Sequence, residues 1–364
     1  MVHAFQRFKG RVSFNRISVA FFFMSTLVDD VGSFPLPPNV NKEAFSEAYR
    51  QARTAAIQGK DLRADTFLEQ NFCSIVLDSF RLKLASGLDV ANFPQQYDGM
   101  RQVGDVLHAA MDTGSFLVDE KSAVLPEVYL IGQEAKALSE ELGRKIQLRV
   151  SIFGPLEHYL HEIGNTPYQD VLEGLAGTIQ RFAKNSVLNN KYIETAVVSI
   201  DEPSFGFNNI QAPSDVICGA LEKAFDFKCA VRQIHLHSAA GVHDLLYVKN
   251  IDVLSFEYAA SPKNIDAVPK SMLDGADKQI RVGVARTDID SILAELYEKG
   301  VGKPSAEQLV EPQEKIEKRF RVAKEKYGDR MTFTGPDCGL GGWPSQEAAA
   351  LMLKRTVEAV KATR

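Results

Sequence analysis

The stretch MTFTGPDCGLGGWP, residues Met331–Pro344, joins a strand-like run to a turn and then to a helix. Met331–Thr334 carries residues that favour β-structure, a Gly-Pro pair ends the run, and an amphipathic segment begins at Ser345. Asp337 and Cys338 stand in the turn. Such a turn can hold a thiolate as a nucleophile or as a metal ligand, although a lone cysteine often serves neither purpose.

The same strand–turn–helix order recurs along the chain. Seven further strand-like runs precede this one, nearly all separated by helical segments, at Thr26–Phe34, Gly87–Asn92, Lys145–Phe153, Thr195–Ile200, Ala230–Leu236, Asp252–Phe256 and Gln279–Val284. Eight strands alternating with helices predict an α/β fold, a (β/α)8 TIM barrel, with a doubly wound open sheet as the alternative. Alternation within Gly114–Tyr129 predicts a hairpin insertion after the second unit.

The composition limits the classes of function. The chain has 364 residues, of which 45% are hydrophobic and 24% charged, and its net charge is -5. A chain of this kind builds a large core, and its negative charge argues against nucleic-acid binding. No apolar run reaches the roughly 18–20 residues that a membrane-spanning helix needs, so no membrane association is expected. The four cysteines lack CxxC spacing, which indicates a reducing, cytoplasmic compartment.

Residues 1–23 differ from the rest of the chain because they carry four basic residues and no acid. That composition is typical of a transit peptide, but no A-x-A cleavage site follows. We therefore expect an extension over residues 1–23, disordered or not native, ahead of a single barrel domain over residues 24–364. A targeting role for the extension is the alternative.

Nearly all of the predicted strands end in polar or ionisable residues, the exception being the third, which ends at Gly154-Pro155. In order these are Ser33, Gln95, Asp201 with Glu202, His237, Glu257, Arg286, and Asp337 with Cys338. In a parallel barrel the active site lies at the C-terminal ends of the strands. We therefore expect these side chains to converge on one mouth.

The sharpest subset consists of His237, Glu257 and Cys338, at the predicted ends of the fifth, sixth and eighth strands. Imidazole, carboxylate and thiolate together suit Zn²⁺, which binds N, O and S ligands tetrahedrally. Three protein ligands leave the fourth position open, as in catalytic sites. Taken singly, each residue would be an ordinary polar rim residue. His235 points the same way two residues earlier, and is a supporting residue or an alternative ligand.

Asp201 and Glu202 form a second cluster, followed by Pro203. A carboxylate at a strand end, fixed by the proline, can hold a substrate ammonium group. The alternative is an acid that caps a helix or a turn.

Five motifs now indicate a family. VGSFP (Val31–Pro35), IDEP (Ile200–Pro203), IHLH (Ile234–His237), LSFE (Leu254–Glu257) and PDCGL (Pro336–Leu340) occur in the order seen in cobalamin-independent methionine synthases. Over residues 26–362 the chain resembles their catalytic barrel, in the form that lacks the additional N-terminal barrel. The resemblance implies a zinc-dependent transfer of a methyl group to the thiol of homocysteine, which forms methionine.

In that family the zinc is held by a His, a Glu and two Cys. Carried over residue by residue, these positions fall on His237, Glu257 and Cys338, while the second Cys falls on Ala239. With alanine there, zinc and its protein ligands sum to zero charge instead of −1. The resemblance then implies a stronger Lewis acid, a less nucleophilic bound sulfur and weaker metal binding.

The resemblance also implies roles for the other strand ends. Ser33 and Asp201 match positions that hold the amino-acid part of homocysteine, and Gln95 falls where the family has a glutamate. We assign catalytic roles to Asp201 and His237, and substrate binding to Ser33, Gln95, Asp201 and Glu202. The methyl donor is a methylfolate or a methylcorrinoid carrier.

Two alternatives remain open. One is another thiol alkyltransferase of the same superfamily, acting on a different small thiol. The other is a metal-free, non-catalytic binding barrel. Ala239 favours the metal-free barrel, and the retained His237, Glu257 and Cys338 oppose it.

Overall fold

Eight parallel strands form one sheet in the computed structural model, which describes residues 25–208 and 210–363. The strands are Leu27–Val28 (β1), Ala91–Asn92 (β2), Ile146–Phe153 (β3), Ile193–Asp201 (β4), Val231–Leu236 (β5), Val253–Phe256 (β6), Gln279–Ala285 (β7) and Met331–Pro336 (β8). The predicted extension over residues 1–23 lies outside the described residues.

The sheet curls so that its first and last strands are neighbours. Its order is β1-β8-β7-β6-β5-β4-β3-β2, and every pairing is parallel. The two edge strands meet at an isolated parallel bridge between Asp29 and Val90. A doubly wound sheet does not pair its first strand with its last, so the fold is α/β and TIM-barrel-like.

Helices occupy the connections between the strands. They are Lys42–Ile57 (α1), Thr66–Leu68 (α2), Ser74–Ala85 (α3), Gly99–Met111 (α4), Pro126–Gln133 (α5), Ala135–Leu142 (α6), Pro155–Glu162 (α7), Gln169–Asn185 (α8), Ser214–Ala224 (α9), Val242–Leu245 (α10), Asn264–Ala267 (α11), Lys270–Ala276 (α12), Ile289–Glu298 (α13), Ala306–Leu309 (α14), Gln313–Tyr327 (α15) and Gln346–Lys361 (α16). Short 3₁₀ turns at Leu62–Ala64, Glu120–Ser122 and Gly328–Arg330 and a π-helical turn at Glu69–Cys73 complete the helical segments.

Several helices begin where a polar side chain caps the first turn. Asn41, Asp98 and Ser345 each accept a hydrogen bond from a backbone N–H of α1, α4 and α16 respectively. These caps satisfy N–H groups that have no partner within the helix. The turn after Cys338 therefore leads directly into α16 through the Ser345 cap. None of the described helices is long and apolar enough to cross a membrane.

The predicted hairpin in Gly114–Tyr129 is wrong. The segment contains the 3₁₀ turn Glu120–Ser122 and the first residues of α5, and its described residues form no strand. Val118 in this segment is buried, and its N–H donates to the Thr178 Oγ1 of α8 (2.9 Å). The backbone is thus hydrogen bonded to helix side chains rather than to a second strand.

The barrel interior is apolar at its base and polar above. A layer of apolar side chains closes the base: Val90, Ala196, Val197, Val231, Val253 and Phe333. Above it, Asp29 binds Arg149 Nη1 through one oxygen and Arg281 Nε through the other, each at 2.6 Å. All three side chains are completely buried. This ion cluster ties β3 and β7 to the segment that follows β1.

His158 on α7 predicts a specific sensitivity to acid. It is fully buried, neither ring nitrogen has a described partner, and burial lowers its pKa from 6.5 to about 4. Because the unfolded chain binds this proton first, stability is intact above pH 6.5 and is lost as the pH falls toward 4. The expected loss is about 2–3 kcal/mol between pH of about 7 and about 4.5.

Urea unfolding of wild type and His158→Leu across that pH range measures this loss. The variant should show a shallower dependence of the unfolding free energy on pH. Equal dependence in the two proteins would show that His158 is not the group responsible.

Candidate metal centre

Three strand ends bring His237, Glu257 and Cys338 together. The Cys338 Sγ lies 3.4 Å from the His237 Nε2, and the Glu257 Oε1 lies 3.7 Å from the same nitrogen. Around a tetrahedral zinc ion, bond lengths of about 2.3 Å to sulfur and about 2.0–2.1 Å to nitrogen separate the two donors by about 3.6 Å. The spacing of the His237 and Cys338 donors therefore fits a shared ion, and Glu257 lies beside the same imidazole nitrogen.

His235, and not Glu257, completes the closest group of donor atoms among the described residues. Among the described residues, one group of three His, Cys or acidic side chains places its ligand atoms within 4.8 Å of one another, and it consists of His235, His237 and Cys338. The two imidazoles lie on the same face of β5 and its extension, with ring centroids 5.7 Å apart. The His235 Nδ1 is 3.0 Å from the Ser255 Oγ, while its Nε2 is buried without a partner.

Burial favours the uncharged form of each donor. It raises the pKa of Cys338 to about 12, an effect to which Glu257 adds, and the pKa of Glu257 to about 8, to which Asp337 adds. Burial also lowers the pKa of His237, and lowers that of His235 well below its usual value. A divalent cation would offset the charge of an ionised thiol and carboxyl group. The donor set thus fits zinc in its chemistry, and His235, His237 and Cys338 also fit it in spacing.

Asn264 fixes the backbone at two of these strand ends. Its Nδ2 donates to the carbonyl oxygens of His237 (2.8 Å) and Glu257 (2.9 Å), and its Oδ1 accepts from the Ala239 N–H (3.0 Å). A single side chain therefore holds the segments that follow β5 and β6 in register.

Ala239 occupies the position implied for a second cysteine. The residue is buried, with 2% of its surface exposed. Its methyl group offers no donor atom, so position 239 contributes only backbone to this end of the barrel.

Asp337 ties the segment carrying Cys338 to the one that follows Glu257. Its carboxylate accepts hydrogen bonds from the N–H groups of Tyr258 (3.0 Å), Ala259 (3.0 Å) and Ala260 (2.6 Å). The Cys338 N–H itself donates to the Thr287 Oγ1 (3.1 Å). Hydrogen bonds of the Asp337 side chain and of the Cys338 N–H therefore fix the backbone that carries the thiol.

Ser33 lies against the turn that carries Cys338. Its carbonyl oxygen accepts from the Leu340 N–H (2.7 Å) and its hydroxyl from the Gly341 N–H (3.1 Å). A Cβ on Gly339 would approach the Ser33 Oγ to 2.4 Å, so this contact requires glycine. The predicted substrate-binding hydroxyl is thus next to the candidate metal ligand.

Asp201 also belongs to this neighbourhood. Burial raises its pKa to about 6 against the opposing charge of Arg149, and the Ser199 Oγ donates to it (2.6 Å). It is the register partner of His235 on the neighbouring strand β5. The carboxylate is therefore placed near the candidate metal ligands.

Gln95 has other contacts in the described part of the chain. Its Nε2 donates to the Gln102 Oε1 (3.2 Å) and to the Ser151 carbonyl oxygen (3.3 Å). Its backbone is left-handed, with φ 45°. These contacts tie Gln95 to α4 and β3 and not to the metal donors.

Glu202 faces α7. Its two oxygens accept from the N–H groups of Leu156 (3.0 Å) and Glu157 (2.8 Å), in the first turn of that helix. A Cβ on Gly154 would lie 2.0 Å from the Glu202 Oε1, so the approach is very close. These contacts favour a capping role, while substrate binding by Glu202 stays a prediction.

Glu202→Ala should therefore lower stability without lowering metal content. Two N–H groups at a buried helix end would lose their acceptor, at a cost of about 2–3 kcal/mol. Urea unfolding gives the loss, and metal analysis gives the zinc content. Glu202→Gln keeps one acceptor oxygen and should show an intermediate loss. Reduced zinc content with unchanged stability would contradict the capping role.

Sequence reasoning missed Asn264 and Ser255, because an isolated Asn or Ser carries no signal of its contacts. It also missed the ion cluster, for which a signal exists. Arg149 and Arg281 each place a charged side chain within a largely buried strand, and such a residue in a barrel needs a buried partner.

No protein-family model and no curated protein matches the chain. Among solved structures, it is similar to a B12-independent methionine synthase from Shewanella sp. W3-18-1 in complex with selenomethionine, with a TM-score of 0.57, 13% identity, and coverage of 93% of this chain and 98% of that chain. An endo-β-1,4-mannanase from Thermotoga petrophila matches with a TM-score of 0.40 and 12% identity, over 79% of this chain and 72% of that chain. A family 51 α-L-arabinofuranosidase from Bifidobacterium longum matches with a TM-score of 0.38 and 12% identity, over 89% of this chain and 72% of that chain. The first likeness shows the barrel-like fold, and function has to be argued from the site.

Proposed function

We propose that the protein is a zinc-dependent methyltransferase that moves a methyl group to the thiol of homocysteine or of a similar small thiol. The approach of the Cys338 Sγ to the His237 Nε2, with Glu257 beside the same nitrogen, carries this proposal. These three donors come from three separate strand ends, where a parallel barrel builds its active site. The fold shared with a B12-independent methionine synthase supports it further.

His237, Glu257 and Cys338 would hold the ion. Zinc bound there would lower the pKa of a substrate thiol, so that the thiolate is available at neutral pH to attack a methyl group. Asn264 and Asp337 position the three donors through the backbone hydrogen bonds that they make at these strand ends.

Asp201 and Ser33 would orient the amino-acid part of the substrate. A buried carboxylate at a strand end can accept hydrogen bonds from a substrate ammonium group, and the Ser33 hydroxyl can donate to a substrate carboxylate. Asp201 pairs in register with His235, and Ser33 binds the turn after Cys338 at Gly341. They would thereby hold the thiol end of the substrate toward His237. Substrate binding by Gln95 stays a prediction, because its Nε2 is bound to Gln102 and Ser151.

The methyl donor in this proposal is a methylfolate or a methylcorrinoid carrier. The sulfur–carbon bond forms as the bond between the methyl group and its carrier breaks, and the carrier keeps the bonding electrons. The two donors are distinguished by supplying each in turn to the same protein.

The test combines metal analysis with an assay of thiol methylation. We expect about one zinc per chain, the count that a single three-ligand site implies. Homocysteine should be methylated with one of the two donors, and a chelator should stop the reaction until zinc is restored. Absence of zinc after supply under reducing conditions would refute the proposal. Zinc binding without methylation of homocysteine by either donor would instead favour the other thiol alkyltransferase.

A further inference from the structure

We propose that His235 is a direct metal ligand, and that it supplies the donor that position 239 lacks. The site would then bind its ion through two imidazole nitrogens, the Cys338 sulfur and a Glu257 oxygen. This inference rests on the metal centre of the proposed function and specifies its donor set.

The placement of His235 follows from strand geometry. Residues two apart on a strand point to the same face, so a His-x-His pair presents two imidazoles to one ion. His235 lies at the end of β5 and His237 just beyond it. The ligand atoms of both lie within 4.8 Å of each other and of the Cys338 sulfur.

The Nε2 of His235 is free to bind a metal ion. The side chain has only 1% of its surface exposed, and the Nε2 has no hydrogen-bond partner. Leaving a buried polar atom without a hydrogen-bond partner destabilises the fold unless a ligand pairs it. When the Nδ1–H donates to the Ser255 Oγ, 3.0 Å away, the Nε2 carries a lone pair for an ion. Metal-bound histidines commonly have such a partner on their second nitrogen.

Position 239 supplies no side-chain ligand to a metal ion, because alanine carries only a methyl group. Ala239 is buried, and its N–H is bound to Asn264. A neutral imidazole from His235 restores four donors without adding a negative charge. With Zn²⁺, one thiolate and one carboxylate, the charge of the site sums to zero. Imidazole and thiolate together select borderline divalent cations such as Zn²⁺ and Co²⁺.

Cobalt(II) titration of the metal-free full-length protein tests the donor set directly. Bound cobalt reports nitrogen and sulfur donors through its visible d–d bands and its sulfur-to-metal charge-transfer band. His235→Leu should bind cobalt at least about 100-fold more weakly, more than is lost with a supporting residue. It should keep the charge-transfer band at saturation, because Cys338 is intact, and should change the d–d bands.

His158→Leu is the matched control, since it also removes a fully buried imidazole, on α7. It should bind cobalt with the wild-type affinity and spectrum. His235→Leu combined with Ala239→Cys should regain affinity and show a stronger charge-transfer band, because the new thiol provides the missing donor. Ser255→Ala should weaken binding about 10-fold while leaving His235 in place. This variant tests the inference even if His235→Leu fails to fold.

The outcomes separate the two proposals. Wild-type affinity and an unchanged spectrum in His235→Leu would overturn the role of His235 and leave the metal centre standing. Unchanged affinity in Ser255→Ala would likewise speak against it. A wild-type protein that binds neither cobalt nor zinc under reducing conditions would overturn both.

Discussion

Cys338→Ser is expected to abolish stoichiometric zinc binding, and with it thiol methylation. Cys338 provides the one sulfur atom in the donor group of the described residues. A serine hydroxyl is not ionised near neutral pH and is a poor ligand for zinc, which prefers thiolate, imidazole and carboxylate. We expect metal affinity to fall by at least about 100-fold, since losing even a supporting partner of a ligand costs about 10–100-fold.

Metal analysis after equilibration with buffered zinc measures this loss. Cys229→Ser is the matched control, because Cys229 lies before β5, at the other end of that strand, and its Sγ donates to the Thr195 carbonyl oxygen (3.3 Å). A serine there keeps a donor to the same oxygen, so zinc content should match wild type. If Cys338→Ser retains zinc, Cys338 is not a ligand and the proposed metal centre is wrong.

Asp29→Ala is expected to cause the largest loss of stability. The substitution leaves the guanidinium groups of Arg149 and Arg281 buried with no carboxylate between them. Removing one partner of a buried ion pair costs about 3–5 kcal/mol, because the remaining charge is desolvated without compensation. The segment after β1 also forms the bridge that joins the two sheet edges. The loss therefore falls at the seam of the barrel.

Urea unfolding of wild type, Asp29→Ala and Asp29→Asn resolves the contribution of charge. Asparagine keeps an acceptor for one guanidinium but removes the negative charge, so it should be intermediate. A midpoint for Asp29→Ala equal to that of wild type would show that the ion cluster does not stabilise the fold. Far-UV circular dichroism of each variant establishes that the comparison starts from a folded protein.

Much of the fold could be predicted because its signals are local. The run at Lys145–Phe153 corresponds to β3 at Ile146–Phe153, and the helical segment predicted to begin at Ser345 corresponds to α16. Alternation failed in Gly114–Tyr129, where buried residues pack beneath a loop instead of on a strand. Periodicity reports which side chains are buried, but it does not identify the partner of the backbone.

The candidate site was predictable only in part. His237, Glu257 and Cys338 were expected to lie near one another, because the C-terminal ends of all strands of a parallel barrel lie on the same side of the barrel. For Glu202 the sequence allows either substrate binding or helix capping, and its hydrogen bonds to the first turn of α7 favour capping. Gln95 follows the end of β2 as expected, yet its amide binds Gln102 and Ser151. Side-chain direction at a strand end depends on neighbours that come from elsewhere in the chain.

The sequence by itself determined the α/β order of the chain, the strand ends and the chemistry of the donors, since turns, caps and alternation act over a few residues. Only the tertiary structure decided which atoms share a site. Asn264 binds the carbonyl oxygen of His237 from 27 residues away, and Cys338 lies 101 residues from the imidazole that it contacts. The unpaired nitrogen of His235 is likewise a property of the packed barrel. Whether a buried polar atom finds a hydrogen-bond partner depends on the strands that pack around it.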